Sequence, residues 1–507
     1  MMKRFLALFL CVMLLLSGCT TTPATTEPTG HVHLDADDNG KCDGCKEDLM
    51  VSVDFYSVND LHGKIADGDN HPGVDEMTTY FKETIKRREN VILISAGDMW
   101  QGSPESNLTA GQLATEWMND VGFAAMALGN HEFDWGTEPV KANSEIADFP
   151  FLAINIYDRS TNSRVEYCDS SVLVDKGEIQ IGIIGAIGDC YSSISPDKVE
   201  DVYFKVGDEL TQLVMAESEK LRSEGADYIV YVLHDGYGSS ESSSSAVDVS
   251  DKALKSYYDT DLSNGYVDLV FEGHTHQGYL LRDTYGVYHL QGKGENKAIT
   301  HVEIQINSVT GTTRTRMKEV LANGTYANYK DDPIIEQLMD KYADVVGIAK
   351  ENLGYNAAFR NSNFLNQKVA DLYYQAGMER WGDEYDIALG GGFIAVRSPY
   401  QLLEGDVEYG DLQMVLPFDN QLVLCSIKGR ELREKFFESD HDKYYISYGS
   451  YGNSIRHNID PNETYYLVTD SYTSQYGPNK LTEVEWYDEG VYARDLFANY
   501  IRDGGLE

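Results

Sequence analysis

Positive charge is what this sequence has least of. Lysine and arginine together number 41 against 82 aspartates and glutamates, leaving a formal net charge of −41. A chain this acidic repels nucleic acid and anionic membrane surfaces, which argues against either as a direct partner. The same imbalance constrains any phosphate-ester substrate: something other than Lys and Arg would have to neutralise it, and bound divalent cations would do so. Cysteine is also scarce, at seven residues, and Cys168, Cys190 and Cys425 are scattered singly, so no disulfide framework is visible. Internal repeats are missing as well.

A long apolar run is the next absence. The stretch Phe5 to Leu16, behind Lys3 and Arg4, is too short to span a bilayer comfortably and has the form of an export signal. Leu16-Ser17-Gly18-Cys19 resembles a bacterial lipoprotein processing box. Residues 1–18 are therefore expected to be a signal peptide, with Cys19 lipidated and the exported chain anchored to the bacterial membrane or cell surface. The Thr/Pro-rich run from Thr20 to Gly30 reads as a tether. Within the span 19–49, the segment HVHLDADDNGKCDGCKEDL stands apart, and three readings of it stay open. His31, His33, Cys42 and Cys45 could form a zinc site. Asp35, Asp37 and Asn39 before Gly40 suggest the front of a calcium loop, although Lys46 stands where a closing Glu is needed. The plainest reading is a Cys42–Cys45 disulfide.

What is present is an ordinary globular body. Hydrophobic residues make up 42% and charged residues 24%, and 507 residues are too many for one core, so two domains are expected. From residue 50, short β-branched runs (VSVDFYSVND, VILISAGD, AAMALGN, FLAIN, IQIGIIGAIG, DYIVYVLHDG, VDLVFEGHTH) alternate with segments of helical spacing such as Met77 to Asn90 and Leu113 to Val121. This is an α/β pattern of buried strands running into polar loops. A hairpin turning near Thr310-Gly311 closes the unit, 50–330. Pro333 to Glu351, within the connecting span 331–351, reads as one amphipathic helix, and a second unit fills 352–507. The serine-rich run Ser239 to Ser245 reads as a loop.

Active residues of such sheets gather at the carboxyl ends of strands. Five strand ends here carry residues that ligate metals: VNDLHG offers Asp60 and His62, SAGD offers Asp98, LGNHEFD offers Asn130 beside His131, VLHDG offers His234, and EGHTH offers His274 and His276. Residues two apart, as in Asp60 and His62, would share one side of an extended segment. An isolated GD or HxH is common by chance; five such motifs at successive strand ends are not. Oxygen and nitrogen donors without thiolate suit zinc, manganese or similar ions, and the pool is large enough for two.

The series D-x-H, G-D-x-x-Q-G-S, G-N-H-E-F-D, H-x-G and G-H-T-H, in this order, resembles the exported 5′-nucleotidase/UDP-sugar hydrolase family of calcineurin-like metallophosphatases. The resemblance implies a four-layer α/β/β/α catalytic domain followed by a smaller mixed α/β substrate-binding domain. It implies that Asp60, His62 and His276 hold one divalent ion, that Asn130, His234 and His274 hold the other, and that Asp98 bridges them. It further implies attack by a metal-activated hydroxide, assisted by His131 oriented and protonated through Asp134.

In the second unit, LGGGFIAVRSPYQLLEGDVEYGDLQMVLPFDNQL resembles the family's substrate-domain segment with its glycine-rich turn. By that likeness Arg397 contacts phosphate, Phe418 and Tyr472 stack on a nucleobase, and Asn420 hydrogen-bonds near its edge. Departures are Leu389 in place of the usual Asn, a wider spacing from Arg397 to Gly405, and QYGPNK after the second aromatic; Arg360 is a further phosphate candidate. These bear on base and ribose specificity, not on metal chemistry. The expected function is hydrolysis of nucleoside 5′-monophosphates, with 2′,3′-cyclic nucleotides and UDP-sugars as further candidates. The rivals are a surface nucleotide-binding protein without turnover and a hydrolase of another phosphate or sulfur ester.

Overall fold

A computed structural model describes residues 32–67, 73–236, 265–283, 285–321, 325–326, 328–393, 396–397, 401–438, 444–448, 458–475, 480–487 and 491–507. The export signal, Cys19, the tether, His31 and the serine-rich run at 239–245 lie outside these residues. No helix among the described residues is long and apolar enough to cross a membrane.

Two six-stranded sheets lie face to face. The first runs Thr313–Leu321, Ala298–Asn307, Met50–Val58, Val91–Ser95, Ala125–Ala127, Phe151–Leu152. The second runs Tyr279–Arg282, Tyr288–Gln291, Leu269–Glu272, Tyr228–His234, Ile179–Ile187, Ser171–Lys176. The central strands of each are parallel; the outer ones are antiparallel except for the edge strand Phe151–Leu152, which is parallel to its neighbour. Alternation along each strand decides what packs where. Phe55, Ile94 and Ala127 point inward and meet Ile181, Val230 and Phe271 of the facing sheet; the rings of Phe55 and Phe271 lie 6.2 Å apart. Their neighbours Tyr56, Leu93 and Met126 point outward under Met77, Phe81 and Trp117 of the helices Asp75–Arg87 and Gln112–Val121. Outside the second sheet, Leu210, Val214 and Leu221 of the helix Asp208–Ser223 cover Ile184, Ile229 and Tyr231. Strands buried on both faces read as continuous apolar runs, as these do. The expected four layers are observed, and the hairpin turns at Thr310-Gly311, where Gly311 N–H donates to Asn307 O at 2.8 Å.

The second unit is a five-stranded sheet in the order Tyr444–Ser447, Ile387–Phe393, Thr464–Asp470, Leu422–Lys428, Thr482–Trp486. One face carries the helices Ser362–Trp381 and Ala493–Arg502, and the other is covered by Leu432, Phe436 and Phe437.

Two expectations are corrected. Pro333 to Glu351 is two helices, Pro333–Lys341 and Ala343–Ala349, because Tyr342 leaves helical geometry (φ −104°, ψ 28°) and its hydroxyl donates to Glu116 at 2.8 Å. The LGGGF glycines do not form a turn but lie within the strand Ile387–Phe393. At Gly390 the crossing helix lies directly on the strand: a Cβ there would stand 2.4 Å from the backbone nitrogen of Tyr374.

Candidate active site

All seven expected metal donors stand at or just past the carboxyl ends of parallel strands, and the structure brings them together. The loops after Met50–Val58 and Val91–Ser95 are laced by backbone hydrogen bonds, Asp60 N–H to Gly97 O at 2.9 Å and His62 N–H to Asp98 O at 3.0 Å. These segments are not extended, as the two-apart spacing had suggested. Asp60 (φ 51°), His62 (54°), Asp98 (55°), His274 (77°) and His276 (56°) are all left-handed. Each donor is turned inward by a local kink, a conformation that Asp and His tolerate better than most residues and that costs roughly 1–2 kcal/mol apiece.

The donors fall into two overlapping groups. Asp60, His62 and His276 have ligand atoms within 4.8 Å of one another, as do Asp60, Asp98 and His234. His62 Nε2 and His276 Nε2 face each other at 2.9 Å, with Asp60 Oδ1 at 3.5 Å from the latter. On the other side His234 Nε2 lies 3.1 Å from Asp98 Oδ2 and 3.2 Å from Asn130 Oδ1, while His274 Nδ1 lies 3.0 Å from the same amide oxygen.

Tautomers are set from outside the cluster. His62 Nδ1 donates to Gln101 O at 2.8 Å and His234 Nδ1 donates to Ala96 O at 2.6 Å, so each ring turns its Nε2 inward. This is how metal-ligating histidines are oriented. Burial holds His62 well below the ordinary imidazole pKa, helped by the Arg397 charge, and burial with the His234 charge takes His274 down to about 3. Both imidazoles are therefore neutral. For His234, burial opposes protonation, but Asp98 outweighs it and the pKa rises to about 10. Convergent lone pairs, two buried carboxylates and an amide oxygen are a donor set that fits divalent cations.

His131 stands beside this cluster without facing into it as a donor. Its Nδ1 lies 2.8 Å from Asp134 Oδ2, and its backbone N–H donates to Asp98 Oδ1 at 2.9 Å. Burial disfavours the imidazolium, but Asp134 and Asp98 outweigh it and hold the pKa above the ordinary value.

The second unit reaches this place. Arg397 sets its guanidinium against the His62 ring, 3.2 Å from Nδ1 and 3.1 Å from Nε2, and donates to the Gln101 side chain. The Phe418 ring stacks near-parallel to His131, centroids 6.0 Å apart. Tyr472 is half-buried on the short helix Ser471–Gln475, which packs against the Pro196–Lys198 turn of the first unit. Asn420 accepts Ala493 N–H at 3.1 Å through its backbone oxygen. Arg360 is not at the donor cluster; it hydrogen-bonds Asn356 and lies over the Phe364 ring.

Sequence reasoning missed Glu132. This carboxylate is fully buried and accepts three backbone N–H groups, from Asp98 (2.9 Å), Met99 (2.8 Å) and Gly129 (2.7 Å), which ties the Asp98 and Asn130 loops into one piece. Burial and the Asp98 charge push its pKa up to about 7. Its only signal was a carboxylate inside GNHEFD that no ligand role absorbed. Cys190 was also unassigned; its thiol donates to His234 O at 2.8 Å and burial keeps it protonated.

Residues 55–278 match the family described as calcineurin-like phosphoesterase, and residues 345–483 match the 5′-nucleotidase C-terminal domain. The protein UshA of Yersinia enterocolitica is 26% identical, over 90% of this chain and 92% of its own length. A 5′-nucleotidase of Vibrio cholerae is 27% identical over 82% of this chain and 77% of its own. The crystal structure of a 5′-nucleotidase precursor from Thermus thermophilus superposes with a TM-score of 0.67 at 19% identity, covering 89% of this chain and 96% of that one.

Proposed function

This chain belongs to the calcineurin-like metallophosphatases that carry a 5′-nucleotidase C-terminal domain, which makes it a metal-dependent phosphoesterase, and from that premise we propose that it hydrolyses nucleoside 5′-monophosphates outside the cytoplasm. The observation that carries the substrate reading is the meeting of two units at one place: Arg397 and Phe418 arrive from the second unit against His62 and His131 of the first.

In this reading Asp60, His62 and His276 would hold one divalent cation and Asn130, His234 and His274 a second, with Asp98 shared. Such ions supply positive charge to a phosphoryl group and make water more acidic. The chain's own groups do the rest. Asp134 accepts the Nδ1 proton and, with Asp98, favours the imidazolium, so that His131 carries a second proton on Nε2. That proton is offered to the phosphate as negative charge develops and to the departing ester oxygen. Arg397 presents a planar fork suited to phosphate oxygens, and Phe418 with Tyr472 offers aromatic faces for a base, each worth roughly 1–3 kcal/mol. Anchoring through a lipid on Cys19 belongs to the same proposal and rests on the amino-terminal sequence.

The test is product release by the full chain supplied with Mn or Zn. Substrates are AMP, GMP, CMP, UMP, UDP-glucose, 2′,3′-cyclic AMP and a non-nucleotide monoester, with His131→Ala alongside. We expect nucleotide turnover whose kcat falls by about 10²-fold or more in the variant, the range of a positioned acid. Turnover of the non-nucleotide ester alone would remove the base-stacking role of Phe418. No turnover of any substrate by metal-loaded protein would favour the nucleotide-binding protein instead.

A further inference from the structure

We propose that His33, Cys42 and Cys45 form a second metal site, separate from the catalytic one, that takes a thiophilic divalent cation of the zinc type. The three side chains have their donor atoms within 4.8 Å of one another. Cys45 Sγ and His33 Nδ1 stand 3.6 Å apart. That is the edge of a tetrahedron with a sulfur at about 2.3 Å and a nitrogen at about 2.0–2.1 Å from a shared zinc. Glu47 is a further oxygen donor within reach, its Oε2 3.7 Å from Cys45 Sγ and 3.7 Å from His33 Nε2.

The backbone is folded to make this cluster. Cys42 N–H donates to Glu47 O and Lys46 N–H to Cys42 O, both at 2.9 Å, and Lys46 adopts a left-handed φ of 69°. This tight turn sets the two cysteines on one loop. Asp43 N–H donates to Leu34 O at 2.7 Å, which lays the His33-Leu34 segment across it. Cys42 is completely buried although the segment from residue 32 to 49 buries only Asp35, Gly40 and Leu49 besides. So short a piece of chain cannot hold itself together by apolar burial, and units of this size usually need a metal or a disulfide.

The calcium reading is the weaker one: Asp35, Asp37 and Asp43 bring carboxylate oxygens within 4.8 Å of one another, two of the three being exposed, and the buried one is already engaged. Asp35 spends its carboxylate on Asn39 N–H (3.0 Å), Gly40 N–H (2.7 Å) and Asn307 Nδ2 (2.7 Å). It is a clasp, and it fixes the unit to the Ala298–Asn307 strand, with Asp38 holding Thr310 at 2.8 Å. Metal binding would release two thiol protons to solvent and rivet the segment leading into the Met50–Val58 strand onto the closing hairpin.

The experiment compares the full chain with C42S/C45S, both purified without chelator and under reducing conditions. Elemental analysis is expected to find one equivalent of zinc fewer in the variant, with phosphate release retained. Cobalt substitution is expected to show a thiolate-to-metal charge-transfer band that the variant lacks. Cys190 lies near His234 and His274 and is present in both proteins, so the difference spectrum reports Cys42 and Cys45 alone. Because Cys42 is buried, C45S alone serves as a second variant and should weaken and shift the same band. Unchanged metal content and an unchanged cobalt spectrum would overturn the proposal, as would a Cys42–Cys45 disulfide in protein isolated without air. Loss of nucleotide turnover with the cobalt band intact would count against the proposed function and leave this site standing.

Discussion

Gly129 and Glu132 show how little slack the catalytic loops have. A Cβ on Gly129 would sit 2.3 Å from Asp98 Oδ1 and 2.6 Å from the Asp98 backbone nitrogen, so Gly129→Ala must push the Asp98 carboxylate aside. We expect bound metal to fall and kcat to drop on the order of 10²-fold, the scale of an ångström-level misplacement; metal analysis and steady-state kinetics check it. Glu132→Ala would strand the N–H groups of Asp98, Met99 and Gly129 in a dry interior. Each unmet donor costs about 1–3 kcal/mol, so the variant should lose at least about 3 kcal/mol by denaturant titration. Glu132→Gln, which keeps an acceptor oxygen, should recover part of that. Neither role could be read in the sequence, because each depends on an atom some thirty residues distant. The gathering of these polar residues could be anticipated, since a strand end with a polar residue is a local pattern. The left-handed turns at Asp60, His62, Asp98, His274 and His276 could not: spacing of two suggests an extended segment, and only the packed loops reveal the kinks.

At the scale of elements, the strand that delivers His274 and His276 rests on a buried charge cluster. His289, on the neighbouring strand Tyr288–Gln291, lies 3.3 Å from Glu272 Oε1 and 3.6 Å from Asp283 Oδ2. Burial opposes its protonation, but Glu272 and Asp283 outweigh it and raise the pKa to about 9 from the ordinary 6.5. A raised pKa means that the folded state favours the imidazolium. The stabilisation is therefore complete below pH 6.5 and fades as pH climbs through about 9. His289→Gln should cost on the order of 3 kcal/mol in mildly acidic buffer, with the gap to the native protein narrowing in alkaline buffer; urea titrations across pH measure it. The strands themselves were legible from apolar runs, and the helices from their period. The break at Tyr342 was not: no glycine or proline marks it, and the partner of its hydroxyl, Glu116, lies more than two hundred residues earlier.

For the whole molecule the dominant property is the charge of −41. An anionic substrate approaches against that field until it reaches the donor cluster. Raising ionic strength from about 0.01 M to about 0.15 M shortens the screening length from about 30 Å to about 8 Å. We expect kcat/KM for a nucleotide to rise with added salt under metal saturation, the reverse of an enzyme that steers its substrate by attraction. A fall would mean that the local positive field around the cleft reaches further than the bulk charge. Composition alone stated this constraint, whereas the way Arg397 and Phe418 cross to the first unit needed the fold.

The small unit at residues 32–49 is clasped to Asn307 and Thr310, opposite Met50, while the donors begin beyond Val58. Nine strand residues, about 30 Å at the usual rise, separate the two ends. The small unit therefore lies at the opposite end of this strand from the donor cluster, with the length of the first sheet between them.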